Sequence, residues 1–386
     1  MRASMNHTLT SYQTELQERL RRRVKDLRFH RRQKLSAQAR WVERDTYCLR
    51  GTEYSRLRII LVGNGCSRPH CTMCPLPNES ISRSLNDAST TSAVDQVTRA
   101  LSNLHGSEMV CIYNDGSFFS PVELHSDARH AIYELVRKSG ARILMVESLP
   151  EFLTRTVVQE AVTVLGPSVQ LVVGIGLQSS DHIVRELCIA SSVTERVFRN
   201  GMHLLDSLGV GAKVYLMFKP PFLTETEAQA DLMQSIEWLT YFHPVDITVC
   251  PTRIAEGTVA HDLHSSGMYV QPALGSVVSA LSYLSQSSVD VRVSLFNVAS
   301  SDFPSLTPRI CSSCGPELLR RLAGSSRSLQ FDGYSWNCPT CTSHLTAERS
   351  MEYFSLPLEQ RIEVYLKSTL ESFCPSILQQ ERSSTQ

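Results

Sequence analysis

Three cysteines fall within nine residues in Gly63-Asn64-Gly65-Cys66-Ser67-Arg68-Pro69-His70-Cys71-Thr72-Met73-Cys74, directly after the apolar run Leu57–Val62. Three thiolates on one short loop can hold three irons of a 4Fe–4S cluster and leave the fourth iron open to a substrate or cofactor. A structural zinc site would usually take a fourth protein ligand. A cysteine cluster inside a cell is also more often a metal or redox site than a disulfide set. The loop is polar, carries Gly and Pro and follows a strand-like run, so chance gathering of core cysteines is the weaker reading.

A second group lies near the far end of the chain. Cys311-Ser312-Ser313-Cys314 and Cys338-Pro339-Thr340-Cys341 are two Cys-x-x-Cys knuckles about twenty residues apart, a spacing that suits a zinc ribbon with four cysteine ligands. The same four ligands could hold an auxiliary iron–sulfur cluster, and zinc is the preferred reading of the two. The remaining cysteines, Cys48, Cys111, Cys188, Cys250 and Cys374, are scattered. They read as small core or surface residues, although Cys111 and Cys250 stand near strand ends, where a hydrogen donor would also belong.

A cluster with one open iron can bind the amino and carboxylate groups of S-adenosylmethionine and pass an electron to its sulfonium, giving methionine and a 5′-deoxyadenosyl radical. Protein groups must then hold the methionine, ribose and adenine. Asn114-Asp115-Gly116-Ser117 follows a strand-like run and offers polar side chains beside a glycine that admits close approach. An ordinary strand-ending turn would look the same. Glu147 closes the apolar run Ile143–Val146, where its carboxylate needs a cationic or hydrogen-bonding partner. It could equally serve a helix N-terminus. Gln178 ends Gly174-Ile175-Gly176-Leu177-Gln178, a weak nucleotide signal, and Lys219 precedes Pro220-Pro221, where it could meet a carboxylate or simply be solvated.

These residues need a scaffold that gathers strand ends. Apolar runs at Arg58–Val62, Met109–Tyr113, Ile143–Glu147, Gln170–Ile175, Lys213–Phe218, Asp246–Cys250 and Val291–Leu295 predict strands. Helical patterns lie between them, around Ser92–Leu104, Pro121–Lys138, Leu149–Leu165, Val193–Leu208, Glu225–Thr240 and Ala273–Leu284. The alternation predicts an α/β fold, a partial (β/α)6-type parallel barrel with its active site where strands end and loops begin. Residues 12–40 predict a basic N-terminal helix, with Leu16, Leu20, Val24 and Leu27 on one stripe and Arg19, Arg21, Arg22, Arg23, Lys25, Arg28, Arg31, Arg32 and Lys34 around them. A solvated helix packed by its stripe is preferred to an RNA contact, since no aromatic residues interleave the charge. The division expected is a basic helical extension over 1–50, the barrel over 51–300, a C-terminal zinc-ribbon-like module over 301–346, and a last helix with a disordered tail over 347–386.

The totals exclude several classes. Lys+Arg and Asp+Glu are 38 each, so no global field draws nucleic acid or a membrane. Apolar content of 42% with 20% charged residues over 386 residues is that of a globular protein with one large domain and attachments. No apolar run reaches about 18 residues, and the Arg-rich start has no apolar signal core, so a cytoplasmic protein without a membrane partner is expected.

The cysteine loop, Tyr113-Asn114-Asp115-Gly116-Ser117-Phe118-Phe119, Val146-Glu147-Ser148-Leu149-Pro150-Glu151-Phe152, Gly174-Ile175-Gly176-Leu177-Gln178 and Lys219-Pro220-Pro221-Phe222-Leu223-Thr224-Glu225 occur in the order seen in radical S-adenosylmethionine enzymes. More narrowly they resemble the branch of the radical subunit of archaeosine synthase, related to the Elongator catalytic subunit, and Glu256-Gly257-Thr258 through Gln271-Pro272 resembles it too. The resemblance covers about residues 55–285. It implies a partial barrel, a 4Fe–4S cluster on Cys66, Cys71 and Cys74, a cofactor pocket including Asn114, Gly116, Ser117 and Glu147, and Gln178 and Lys219 nearer cofactor or substrate. Four residues separate Cys66 from Cys71 where the superfamily usually has three. Met73 stands where an aromatic is usual, and Gln178 where the branch looks acidic, which opens the identity of the substrate. The expectation is a lyase or transferase acting on a small biosynthetic metabolite and served by an electron donor such as flavodoxin or ferredoxin. The alternatives are a tRNA-base-modifying radical lyase and a non-catalytic zinc-binding interaction protein.

Overall fold

Strands buried on both faces read as short, nearly unbroken apolar runs, and helices between them must carry one apolar stripe to cover the sheet. The computed structural model describes residues 8–28, 38–78, 87–103, 106–282, 291–294, 305–306, 309–324 and 337–373. It begins with α1 (Ser11–Leu27), β1 (Trp41–Leu49), β2 (Thr52–Ile60), α2 (Asp87–Asn103), β3 (Met109–Tyr113), α3 (Ser126–Lys138) and β4 (Ile143–Glu147). There follow α4 (Arg155–Leu165), β5 (Gln170–Gln178), α5 (Glu195–Ser207), β6 (Gly211–Phe218), α6 (Glu225–Leu239) and β7 (Asp246–Pro251). After these come β8 (Ile254–Ala255), α7 (Val259–Ser265), α8 (Leu274–Ser282), β9 (Val291–Val293) and β10 (Ser305–Leu306). The chain closes with α9 (Gly315–Gly324), α10 (Pro339–Arg349), α11 (Glu352–Ser355) and α12 (Leu358–Phe373). Among the described residues no helix is long and apolar enough to cross a membrane.

One sheet runs β1-β2-β3-β4-β5-β6-β7-β9, parallel from β2 onward, and it has the predicted α/β half-barrel form. Alternation sorts its side chains. Val110, Ile112, Leu144, Val146, Val173, Val214 and Leu216 face the helices and build the main core. Met109, Cys111, Ile143, Met145 and Val172 face the concave side. Threonine starts most of the covering helices: Thr154, Thr194, Thr224 and Thr258 each accept a backbone N–H of the first turn, and Thr224 forms a capping box with Glu227.

The sheet curls until its edges meet. The Tyr47 hydroxyl of β1 donates to Asp246 of β7, Lys213 Nζ donates to Tyr47 Oη at 2.8 Å, and Arg292 of β9 donates to both Asp246 Oδ1 (2.8 Å) and the Cys48 carbonyl. The Arg292 guanidinium also lies 4.1 Å from the Tyr47 ring centre. The half-barrel therefore has a polar floor, opposite the end where the loops gather.

Several expected boundaries shift. Trp41–Leu49 is an antiparallel edge strand of the sheet, registered Trp41↔Ile60 through Leu49↔Thr52, although the boundary at 50 assigns it to the helical extension. Its run of charges hides the alternation: Glu43 and Asp45, half-buried, pair with Arg58 and Arg56 of β2, and Arg44 between them is exposed. The basic helix stops at Leu27; Arg31, Arg32 and Lys34 lie outside the described residues, as do Leu295, Cys374 and the tail from Gln379. The two knuckles each open a helix, α9 and α10. The last helical stretch is broken at Pro357 into α11 and α12.

Candidate active site at the mouth of the half-barrel

The loop after β2 carries Cys66, Cys71 and Cys74, all half-buried. Glu123, buried in the loop after β3, holds it in place. Its Oε1 accepts from Ser67 N (2.8 Å) and Ser67 Oγ (2.6 Å), and its Oε2 accepts from Ser117 N. Gly116 lies between the two loops, where a Cβ would meet the Glu123 carboxylate and come within 3.0 Å of the Cys66 Cα. On the other side Thr72 donates through Oγ1 to the Cys188 carbonyl (2.7 Å) and through N to that of Ile189 (3.0 Å). Arg28, just past α1, donates to the carbonyls of Cys74 (2.9 Å), Pro69 (3.3 Å) and Cys71 (3.4 Å). Burial and the neighbouring Cys74 push the Cys71 thiol up to about 12, and burial with Glu123 pushes Cys66 higher still. Thiols so placed ionise when a cation replaces their protons, which suits metal ligands and not free nucleophiles.

The rim above the concave face is strained. Asp115, Gln178 and Lys219 take φ of 56°, 70° and 55°, two residues past β3, at the last residue of β5 and just past β6. Such backbone clusters where a ligand is clamped. Asn114 and Gln178 each hold a buried acceptor, Asn114 Oδ1 and Gln178 Oε1, with no hydrogen-bond partner among the described residues. Ser117, fully buried, accepts from Leu149 N at 3.0 Å, which ties the loops after β3 and β4. Asp115 pairs with Arg40 at 2.6 Å, and burial still raises its carboxyl.

Below the rim, Glu147, Gly174, Lys213 and Asp246 are successive partners on one row across β4, β5, β6 and β7. Gly174 admits its neighbours: a Cβ there would lie 2.9 Å from the Tyr215 ring and 3.1 Å from Glu147 Cγ. Tyr215 donates to Glu147, whose carboxyl burial raises although Tyr215 and Lys213 pull it down. Lys213 lies 3.2 Å from Asp246 and 5.0 Å from the Tyr215 ring centre. Cys111, buried, and Cys250, half-buried, also lie on this face, with Cys250 pushed up to about 12 by desolvation. They are walls of the chamber and not its rim.

Of the residues singled out from sequence, Cys66, Cys71, Cys74, Asn114, Gly116, Ser117, Glu147 and Gln178 stand around this one mouth. Lys219 does not reach it. Its ammonium, fully buried, sits 2.6 Å from Glu348 Oε1 and 2.8 Å from Glu225 Oε2, behind the rim. Cys311, Cys314, Cys338 and Cys341 form a separate group whose four sulfurs all lie within 4.8 Å of one another. Backbone N–H groups of Cys314 and Ser313 lower the Cys311 thiol to about 6, while burial and the neighbouring sulfurs raise that of Cys341. Sequence reasoning missed Glu123, Tyr215, Lys213 and Tyr47. Lys213 and Asp246, charged residues opening apolar strand runs, were the available signal.

The arrangement is an open chamber with a floor of fixed charges, a rim of unpaired acceptors, and three cysteines over one side. No protein-family model matches the chain. An uncharacterized protein of Methanocaldococcus jannaschii is 25% identical over 300 residues, covering 74% of this chain and 78% of that one. Archaeosine synthase subunit beta of Methanosarcina acetivorans is 29% identical over 252 residues, 63% of this chain and 70% of the relative. Among solved structures, the radical S-adenosylmethionine methyltransferase TsrM of Kitasatospora setae aligns with TM-score 0.38 and 14% identity, over 56% of this chain and 40% of that one. Its aligned part is thus less than half of that structure. The resemblance read from the five ordered motifs is borne out at the level of the superfamily.

Proposed function

We propose that this chain, a relative of the archaeosine synthase beta subunits, is a radical S-adenosylmethionine enzyme working at the mouth just described. The observation that carries the reading is the convergence of Cys66, Cys71 and Cys74 with the unpaired acceptors Asn114 Oδ1 and Gln178 Oε1 at the ends of parallel strands. Three thiolates fit three irons of a 4Fe–4S cluster, and unpaired acceptors fit a ligand rich in N–H and O–H donors. When bound, cluster and cofactor together supply a 5′-deoxyadenosyl radical.

The chain's own residues then do the following. Glu123 and Arg28 hold the cysteine loop from its two sides, so the thiolates keep one geometry. Gly116 lets the loop after β3 approach Cys66, and Ser117 fixes that loop to the one after β4. Asn114 and Gln178 accept from the cofactor, and Glu147, held by Tyr215, presents a carboxylate to an amine or hydroxyl. Tyr47 and its partners close the floor among the described residues, so a substrate enters from the rim and water is kept from below.

The substrate is a small polar molecule or a single base delivered to the rim. A metabolite accords with the balanced charge and with a basic helix whose Arg21, Arg23 and Arg28 are tied to the protein. A tRNA base accords with the name of the archaeal relative. The deciding experiment uses anaerobically reconstituted protein with S-adenosylmethionine and dithionite. Expected are about four irons at the loop and formation of 5′-deoxyadenosine, both lost in Cys71→Ala. Unchanged iron and nucleoside formation in that variant would sink the assignment. Transfer RNA added to the same assay separates the two substrate readings by whether turnover exceeds the uncoupled rate.

A further inference from the structure

The four-cysteine group raises two questions the mouth does not answer: what it holds, and why it lies where it does. Cys311 Sγ is 3.8 Å from Cys338 Sγ, and Cys314 Sγ is 3.7 Å from Cys341 Sγ. One tetrahedral zinc with Zn–S of about 2.3 Å places its sulfurs about 3.8 Å apart. The thiolates of a cubane cluster, each on its own iron, stand roughly 6 Å apart. The gathered sulfurs fit one ion. A bonded disulfide would bring a pair to about 2 Å, which neither pair approaches.

The two knuckles are held differently. The first leads into α9, where Leu318, almost fully buried, belongs to the main core, and Cys314 and Leu319 pack against it. The second leads into α10, whose buried side chains are only Cys341 and Glu348. These two stand two turns apart, about 10 Å along the helix. α10 therefore has no apolar stripe to dock it. It is fixed at one end by a cysteine pair and at the other by Glu348, whose Oε1 accepts from Lys219 Nζ and whose Oε2 accepts from Glu225 N at 2.8 Å, with the exposed Arg349 donating to Thr226 Oγ1 at 2.7 Å beside it. Lys219 is the left-handed residue just past β6 at the rim, and its carbonyl accepts from the Tyr269 hydroxyl. Glu225 in turn accepts from Ala273 N at 2.8 Å through its Oε1.

We propose that Cys311, Cys314, Cys338 and Cys341 bind a single tetrahedral zinc ion, and that this ion fixes the rim by seating Glu348 of α10 on Lys219. The zinc clamps α10 to the core-anchored α9, and the helix delivers a carboxylate to a lysine with no exposure to water. Lys219 is a positioning residue and acts through the β6 end and not on substrate. This inference does not rest on the chemistry at the mouth.

Its test keeps the two metal sites apart. In the Cys66→Ala/Cys71→Ala/Cys74→Ala protein, metal analysis is expected to find one zinc and no iron. Cobalt exchanged into the site should show the visible absorption of a tetrahedral thiolate complex. Iron bound by that variant would overturn the zinc assignment without touching the reading of the loop cysteines. The coupling is read by amine acylation of the wild-type protein and mass spectrometry, before and after zinc is stripped with a chelator. Lys219 is expected to be protected with zinc and to label several-fold faster after stripping, with Glu225 left as its carboxylate partner, while Lys213 in the barrel floor stays protected. Glu348→Ala should keep its zinc and expose Lys219 in the same way. Protection of Lys219 in either stripped or Glu348→Ala protein would overturn the coupling. So would exposure of Lys213 together with Lys219, because it would show global unfolding and not release of a seat.

Discussion

At the residue scale the site depends on what is missing from one side chain. Gly116 has the space for hydrogen alone, between the Glu123 carboxylate and the Cys66 backbone. In Gly116→Ala one loop must retreat, and overpacking of this kind costs about 1–3 kcal/mol. The expected outcome is a protein that unfolds at lower denaturant and retains less iron than wild type after desalting; equal iron retention would show that the two loops need not touch. Asp231 gives a prediction with a sign. It accepts from Ser179 Oγ at 2.5 Å, yet burial lifts its carboxyl from 3.8 to about 7. A pKa raised in the folded state means that the folded form holds the proton longer. The stability this confers is fully present below about pH 4, and it is lost as pH rises through about 7. Asp231→Asn, which keeps a polar partner for Ser179 and cannot ionise, is expected to be more stable than wild type at pH 8 and to match it at pH 4. Thermal unfolding across that range reads the difference directly.

At the scale of elements, α1 shows how composition and placement part company. Its arginines suggest a face for a polyanion, but the structure turns several of them inward. Arg23 pairs with Asp262 at 2.7 Å, Arg21 donates to the Ser191 carbonyl at 3.1 Å, and Arg28 reaches the cysteine loop. Arg22, paired with Glu18 one turn back, stays exposed. Arg28→Ala is expected to speed iron loss from the loop several-fold, because three carbonyls of that loop lose a charged donor; iron release to a chelator measures it. Arg22→Glu should leave iron release and stability unchanged, as exposed pairs contribute little. The strands were legible for a plain reason: Met109–Tyr113, Ile143–Glu147 and Asp246–Pro251 are apolar runs of strand length between helical patterns. β1 was not, because an edge strand whose Glu43 and Asp45 pair with Arg58 and Arg56 of β2 around an exposed Arg44 looks like the charged helix before it. Among the site residues, the cysteines, Asn114 and Gly116 announce themselves by motif. Glu123 does not, since a carboxylate that bonds backbone N–H groups of two loops has no spacing to betray it.

The whole molecule is a sheet bent until its first strand reaches its last two. What closes it is a buried charge set: burial works to raise the Asp246 carboxyl, but Lys213 and Arg292 beside it hold it below its ordinary value. A pKa depressed in the folded state contributes stability that is present above the unfolded value of about 4 and is lost as pH falls below it. The floor therefore weakens in acid, opposite to the contribution of Asp231. Asp246 is fully buried, so loss of a partner leaves a charge in a dry site, which typically costs about 3–5 kcal/mol. Arg292→Ala should destabilise toward the lower end of that range, since Lys213 and Tyr47 remain. The same substitution in an Asp246→Asn background should have a much smaller effect, because no charge is left unpaired. Urea unfolding of the four proteins gives the coupling. Hydrogen exchange locates it: amides of β1 and β9 should exchange faster in Arg292→Ala, while those of β3 and β4 keep wild-type protection. Faster exchange throughout the sheet would mean that the edges are not joined locally, and additive urea effects would mean that the ion pair is not what joins them.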